Sequence, residues 1–243
     1  MAEAVELSVV VPVHNEVGNA AVLAREIAEV MEGRAFELIF VNDASTDDTL
    51  DELVALKPEI PQLRILSHRK NAGQSRALRT GVKAARAPVI GTVDGDGQND
   101  PADLPKLYRQ LTRAGAPEKL AMVMGRRASR KDTAWKRFGS RFANSIRQKL
   151  LNDGSDDSGC GTKVVKRDVF LELPYFDHMH RYMPAMIRAD GYEAEFVDVN
   201  HRDREHGISK YNNFGRLAAA ASDLRGVTWL MKRRRPTGGV DEM

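Results

Sequence analysis

Short apolar runs that give way to stretches with apolar residues at helical spacing restrict this chain's fold more than any other feature. Leu7 to Val13 is one such run, stopped by Pro12 and the polar residues after it, and Glu16 to Met31 then places Val22, Leu23, Ile27 and Val30 at threes and fours. Phe36 to Val41 repeats the strand pattern and ends in Asn42-Asp43-Ala44-Ser45-Thr46-Asp47, where Ser45, Thr46 or Asp47 caps a helix through Leu53. Leu63 to Leu66 is a third strand. Ala72 to Ala87 is helical and basic on one face, and it leads into the run Val89, Ile90, Val93. Alternation of this kind predicts an α/β fold with a doubly wound, mostly parallel sheet and helices on both faces.

The second half is less regular. Leu120 to Met124 reads as a strand, Asp132 to Leu151 as a long basic helix, Asn152 to Gly161 as a loop, Met179 to Ala189 as a helix and Glu195 to Val199 as a strand. From Asn213 to Met231 apolar residues recur at threes and fours, with Trp229 beside them and Lys232-Arg233-Arg234-Arg235 at the end. Packing against a domain uses only the apolar face of such a helix; an interfacial aromatic next to a polybasic run suits a helix lying in a bilayer surface. The expected organisation is a domain over 1–212, a membrane-interface helix over 213–235 and a flexible tail over 236–243.

The 243 residues carry a net charge of only +3, so overall charge says little about partners. Local charge says more: between Gly125 and Leu150 nine Lys or Arg face one acid, Asp132. Such a cluster suits phosphate, lipid headgroups or nucleic acid. The single cysteine, Cys160, rules out an intrachain disulfide and fits a reducing compartment. The N-terminus lacks a secretory signal, and no stretch approaches the roughly 20 apolar residues that span a bilayer.

Chemistry concentrates where the fourth strand ends. Asp94-Gly-Asp96-Gly-Gln98-Asn-Asp100 follows an apolar run, with Gly95 and Gly97 letting the backbone turn sharply. Oxygen-only side chains suit Mg²⁺ or Mn²⁺ and not zinc; a polar loop after a core strand is the plainer reading. A calcium EF-hand needs Gly and Glu where Asn99 and Pro105 stand, so it fails. An aspartyl phosphatase would leave Asp43 and Glu16 without a role. A parallel sheet puts those two acids on the same edge as Asp94 and Asp96, where like charges repel unless a cation or donor groups fill the space. Asp43 there suits hydrogen bonding to a nucleobase or ribose. No G-x-G-x-x-G follows the first strand and no Walker A loop exists.

Basic residues supply the counterpart. Arg126, Arg127, Arg130, Lys131, Lys136, Arg137 and Arg141 follow a strand and continue along a helix. Most of that run reads as a solvated face, but Arg127 is expected to point toward the acidic edge. Arg204 and Lys210, either side of Gly207, can clamp an anionic oxygen. His178 and His180 are spaced i, i+2, which opposes joint metal ligation, and His14 and Cys160 read as packing or loop residues. A nucleic-acid-binding role for the basic helix leaves the acidic strand ends unexplained, so no nucleic-acid partner is expected.

Val11-Pro-Val-His-Asn-Glu16, Val41-Asn-Asp-Ala-Ser45, Asp94-Gly-Asp-Gly-Gln98, Met124-Gly-Arg-Arg127 and Gly207-Ile-Ser-Lys-Tyr211 together resemble the family 2 inverting glycosyltransferases, in particular the dolichyl-phosphate mannose synthase group. The resemblance runs over roughly residues 6 to 212. It implies the GT-A fold, a nucleotide-sugar donor, a polyprenyl phosphate acceptor and a divalent cation, Mg²⁺ or Mn²⁺. By the same resemblance Pro12, His14 and Glu16 line the nucleotide pocket with Val41 and Asp43 near the base. Asp94, Asp96 and Gln98 hold the metal, and Arg127, Arg204 and Lys210 bind donor and acceptor phosphates, with Asp96, Arg127 and Arg204 closest to the chemistry. His14 departs from the commoner tyrosine of P-x-Y-N-E. The implied location is cytoplasmic, peripheral at the membrane face; a family 2 transferase acting on a soluble glycan is the other reading.

Overall fold

A computed structural model describes residues 4–127, 148, 150–155, 157, 159–202 and 213–235. In chain order β1 (Leu7–Val13), α1 (Asn19–Val30), β2 (Phe36–Asn42), α2 (Thr49–Ala55), β3 (Leu63–Ser67), α3 (Gln74–Ala84) and β4 (Val89–Thr92) alternate as the periodicity predicts. A 3-10 turn (Pro101–Asp103), α4 (Leu104–Thr112), β5 (Leu120–Arg127), β6 (Lys163–Lys166) and α5 (Arg167–Glu172) follow. After a second 3-10 turn (Met179–Arg181) come α6 (Met183–Ala189), β7 (Glu193–Val199) and α7 (Asn213–Arg233).

The strands form one sheet in the order β3-β2-β1-β4-β6-β5-β7. β1 runs parallel to β2 and β4, β2 to β3, and β5 to β7, while β6 is antiparallel to both its neighbours. Every residue of β1, β2 and β4 is buried, which is why these segments read as continuous apolar runs. Helices cover both faces. A Cβ added to Gly81 of α3 would lie 2.4 Å from Val10, whereas Gly91 of β4 faces Leu104 of α4 and the Leu7 and Val9 side chains on the other side. Strand order turns back between β1 and β4, and ligands of open α/β sheets bind at the carboxyl ends beside such a switch point.

Two expectations need correcting. Met179 to Ala189 is not one helix: His178 is left-handed (φ 64°), a 3-10 turn follows, and α6 begins only at Met183 with Pro184 in its first turn. β6 and α5 were not expected at all. The helix over 132–151 is described only at Gln148, Leu150 and Leu151, all helical, and its remainder, with the 203–210 loop and the 236–243 tail, lies outside the described residues.

α7 is docked on the domain. Val227 is buried, and Leu224 and Met231 pack against the core. Asp223 accepts from His178 Nδ1 at 2.9 Å, and Arg234 pairs with Asp190. Trp229 stays 57% exposed with the Arg233 guanidinium 5.1 Å from its ring. Among the described residues no helix is long and apolar enough to cross a membrane.

Candidate active site

Parallel pairing of β1 with β2 brings Val13 opposite Asn42, so the segments beyond them meet at one edge. Asn15 takes a positive φ of 55°, as asparagine tolerates, and its Oδ1 accepts from Thr46 N at 2.7 Å while its own N donates to Ser45 Oγ at 3.0 Å. His14 Nδ1 donates to the Asp43 carbonyl at 2.9 Å. Glu16 accepts from Asn19 Nδ2 at 3.0 Å, and its backbone N donates to Thr49 Oγ1 at 2.9 Å. Pro12 near the end of β1 and His14 and Glu16 just beyond it therefore lie at this edge.

Asp43 and Val41, expected near the base, lie at the end of β2 and just beyond it. The Asp43 carboxylate is buried and accepts from Ala72 N at 2.9 Å, Gly73 N at 2.7 Å and His68 Nδ1 at 2.7 Å. Those bonds fix the 68–73 segment that leads into α3, so the carboxylate braces that segment from inside. Val41 is 0% exposed and packs beneath Gly81.

The turn after β4 is held against β1. A Cβ on Gly95 would fall 2.5 Å from Val13 Cγ1 and 2.7 Å from the Pro12 carbonyl, so only glycine lets the backbone approach this closely. Asp96 Oδ1 accepts from Gln98 N at 3.2 Å across Gly97, which has φ 72°. Asp94 Oδ1 accepts from Gln74 Nε2 at 2.7 Å, and its carboxylate lies against Gly161, where a Cβ would come within 2.4 Å. Burial pushes the Asp94 carboxyl above the usual range; the Lys163 charge opposes the rise and the neighbouring Asp96 adds to it. Burial draws the Lys163 ammonium down, opposed by the same Asp94.

Arg127 at the end of β5 supplies the basic side. Its Nε and Nη2 each donate to Asp157 at 2.6 Å, a fork geometry specific to arginine. Those bonds raise the Arg127 pKa further, so the guanidinium stays charged beside Asp94. Cys160 is buried, which pushes its thiol up and suits a packing residue. His180 is buried with Nδ1 2.8 Å from Ser75 Oγ.

Asp94, Asp96, Gln98 and Arg127 are thus brought to the edge formed by β1 and β2. Arg204 and Lys210 lie outside the described residues. Gln74, Asp157 and Lys163 are site residues that the sequence reading missed. The alternation of glycines with Asp153 and Asp157 in an otherwise plain loop, facing a basic strand exit, was the available signal.

Residues 8–173, from β1 through α5, match the model of the family described as glycosyl transferase family 2. The chain belongs to that family. This family 2 glycosyltransferase is 32% identical to the dodecaprenyl-phosphate galacturonate synthase of Rhizobium johnstonii, over 97% of the chain and 70% of that protein. It is 30% identical to the undecaprenyl-phosphate 4-deoxy-4-formamido-L-arabinose transferase of Pseudomonas aeruginosa strain PAO1, over 85% of the chain and 60% of that protein's length. Its fold is that of glucosyl-3-phosphoglycerate synthase from Mycobacterium tuberculosis. The complex with Mn²⁺, UDP-glucose and glycerol 3-phosphate superposes with a TM-score of 0.67 at 18% identity, covering 96% of the transferase and 82% of the other chain. The complex with Mg²⁺ and UDP gives 0.69 at 17% identity, over 96% and 81%.

Proposed function

We propose that this glycosyltransferase moves a sugar from a nucleotide-sugar donor to a polyprenyl phosphate, with inversion at the anomeric carbon, while bound peripherally at the cytoplasmic face of a membrane. The observation that carries the reading is the Asp94–Gln98 turn, an oxygen-only donor set at the switch point of the sheet with Arg127 beside it. The acceptor class is supported by two relatives, each named for a polyprenyl phosphate, whose similarity runs over 97% and 85% of the chain.

The donor's nucleoside lies along the β1 exit against Pro12, His14 and Glu16, with Val41 and Asp43 shaping that wall from beneath. Asp94, Asp96 and Gln98 suit Mg²⁺ or Mn²⁺, since two neighbouring carboxylates and an amide are hard oxygen donors with net negative charge. Asp96 and Gln98 would hold the ion most directly. When bound, such an ion supplies charge neutralisation for a diphosphate leaving group. Arg127, fixed by Asp157, orients the diphosphate, and Arg204 and Lys210 take the remaining phosphate charge.

A phosphate monoester loses its second proton near pH 6, so the lipid's oxygen attacks without a strong general base. A bond forms between that oxygen and the anomeric carbon as the bond from that carbon to the diphosphate oxygen breaks. One displacement gives inversion, and the electron pair leaves with the nucleoside diphosphate. Exposed Trp229 and Arg233, with Lys232 and Arg235, present an aromatic and cationic surface that suits anionic headgroups.

Asp96→Ala tests the site. Acceptor-dependent release of nucleoside diphosphate is expected to fall at least about 100-fold with an unchanged melting temperature; retained transfer in the presence of Mn²⁺ would remove Asp96 from the chemistry. Transfer to a soluble glycan with none to a polyprenyl phosphate would replace the acceptor class.

A further inference from the structure

We propose that Arg202 is a positioning residue that sets the Asp94–Gln98 turn for cation binding by fastening it to the exit of β7 and to α1. The inference rests on the cation-binding reading of that turn. β7 lies three strands away from β4 in the sheet, with β6 and β5 between them. Even so, the segment after β4 reaches across: Asn99 pairs with His201 in an antiparallel bridge, and Arg202 N donates to the Gln98 carbonyl at 2.9 Å.

The Arg202 side chain then ties in two more elements. Nη1 donates to both Glu26 oxygens, at 2.9 and 2.8 Å, and Nη2 donates to Asp100 Oδ1 at 2.9 Å. One planar fork thus joins α1, the turn after β4 and the exit of β7, a task that suits arginine and not lysine. Neighbouring bonds support the junction. Asn200 N donates to Asp103 Oδ2 at 2.8 Å, Asn200 Nδ2 to Asp100 Oδ2 at 3.3 Å, and Thr162 Oγ1 to Asn99 Oδ1 at 3.1 Å.

Gln98 is consequently held on two sides, by Asp96 at its N–H and by Arg202 at its carbonyl. The turn contains Gly95 and Gly97, whose backbone freedom would otherwise leave the donor oxygens poorly placed. Without the guanidinium, Glu26 and Asp100 face one another as like charges and push the junction apart. The function follows from that mechanical link: the cation's donors are placed by a residue that never touches the cation.

The test combines Mn²⁺ titration followed by electron paramagnetic resonance with amide hydrogen exchange over residues 96–100. Arg202→Gln is expected to weaken Mn²⁺ binding about tenfold or more and to speed exchange in that segment. Arg202→Lys should restore neither fully. Arg25→Gln is the control, because Arg25 makes a comparable exposed fork to Glu59 from α1 without reaching the turn, and it should change neither readout. If Arg202→Gln fails to fold, Glu26→Ala removes one arm of the junction and should shift both readouts less, in the same direction. Unchanged Mn²⁺ affinity and exchange in the Arg202 variants, or equal loosening by Arg25→Gln, overturns the inference alone. Absence of Mn²⁺ binding by the unaltered protein overturns the cation reading and the inference with it.

Discussion

At Gly161 a single methyl group would reach the heart of the site. A Cβ there would stand 2.4 Å from the Asp94 carboxylate, which the Gln74 bond holds in place. Gly161→Ala must therefore swing Asp94 aside, and displacements of about 1 Å at reacting groups cost roughly 100-fold in rate. Steady-state kinetics should show that loss in kcat/KM with little change in melting temperature. His180 offers a pH test. Burial holds its imidazole well below the ordinary value, with the Lys163, Arg181 and His178 charges acting the same way. A folded pKa below the unfolded value of about 6.5 means the unfolded chain takes up a proton that the fold refuses. This contribution to stability is complete above about pH 6.5 and is lost as pH falls below it. The melting temperature should drop between about pH 7 and 5, less steeply in His180→Gln. Of these residues, the sequence exposes Asp94, Asp96 and Gln98 because glycine spacing and strand periodicity frame them. Gln74 and Lys163 carry no such frame, and Asp157 has only the glycines of its loop, since each joins the site through contacts distant in the chain.

Elements follow the same division. β1, β2 and β4 were legible because strands buried on both faces need apolar runs, and part-buried β3 was read from Leu63, Ile65 and Leu66. β6 was not, because Lys163-Val164-Val165-Lys166 offers only two apolar residues between charged ends. Its ladder comes from neighbours β4 and β5, and Lys163 is tolerated inside because its ammonium donates to the Cys160 carbonyl and lies near Asp94. The packing of α3 on the sheet gives a quantitative prediction. Gly81→Ala gains up to about 1 kcal/mol in helix propensity, but its Cβ would lie 2.4 Å from Val10 Cγ1 and 3.1 Å from Val41 Cγ2. Valines in a buried parallel strand have little rotamer freedom, and overpacking costs about 1–3 kcal/mol. Urea denaturation should show net destabilisation; a more stable variant would mean that α3 can lift off without penalty.

On the scale of the whole molecule, parallel pairing places the acidic exits of β1, β2 and β4 on one edge, while α7 carries exposed Trp229 and its basic end. The helix was legible as a periodic apolar pattern, but its anchoring was not: the His178–Asp223 and Asp190–Arg234 contacts join residues tens of positions apart. That anchoring makes the exposed aromatic and cationic surface a fixed part of the transferase. The most direct measurement is release of nucleoside diphosphate from a panel of nucleotide sugars, with and without a short polyprenyl phosphate, in Mn²⁺ and in chelator. The account predicts that one donor gives release that needs both the lipid phosphate and the divalent ion, with the sugar recovered on the lipid in inverted configuration. Release that proceeds equally well in chelator, or transfer that ignores the lipid phosphate, would contradict it.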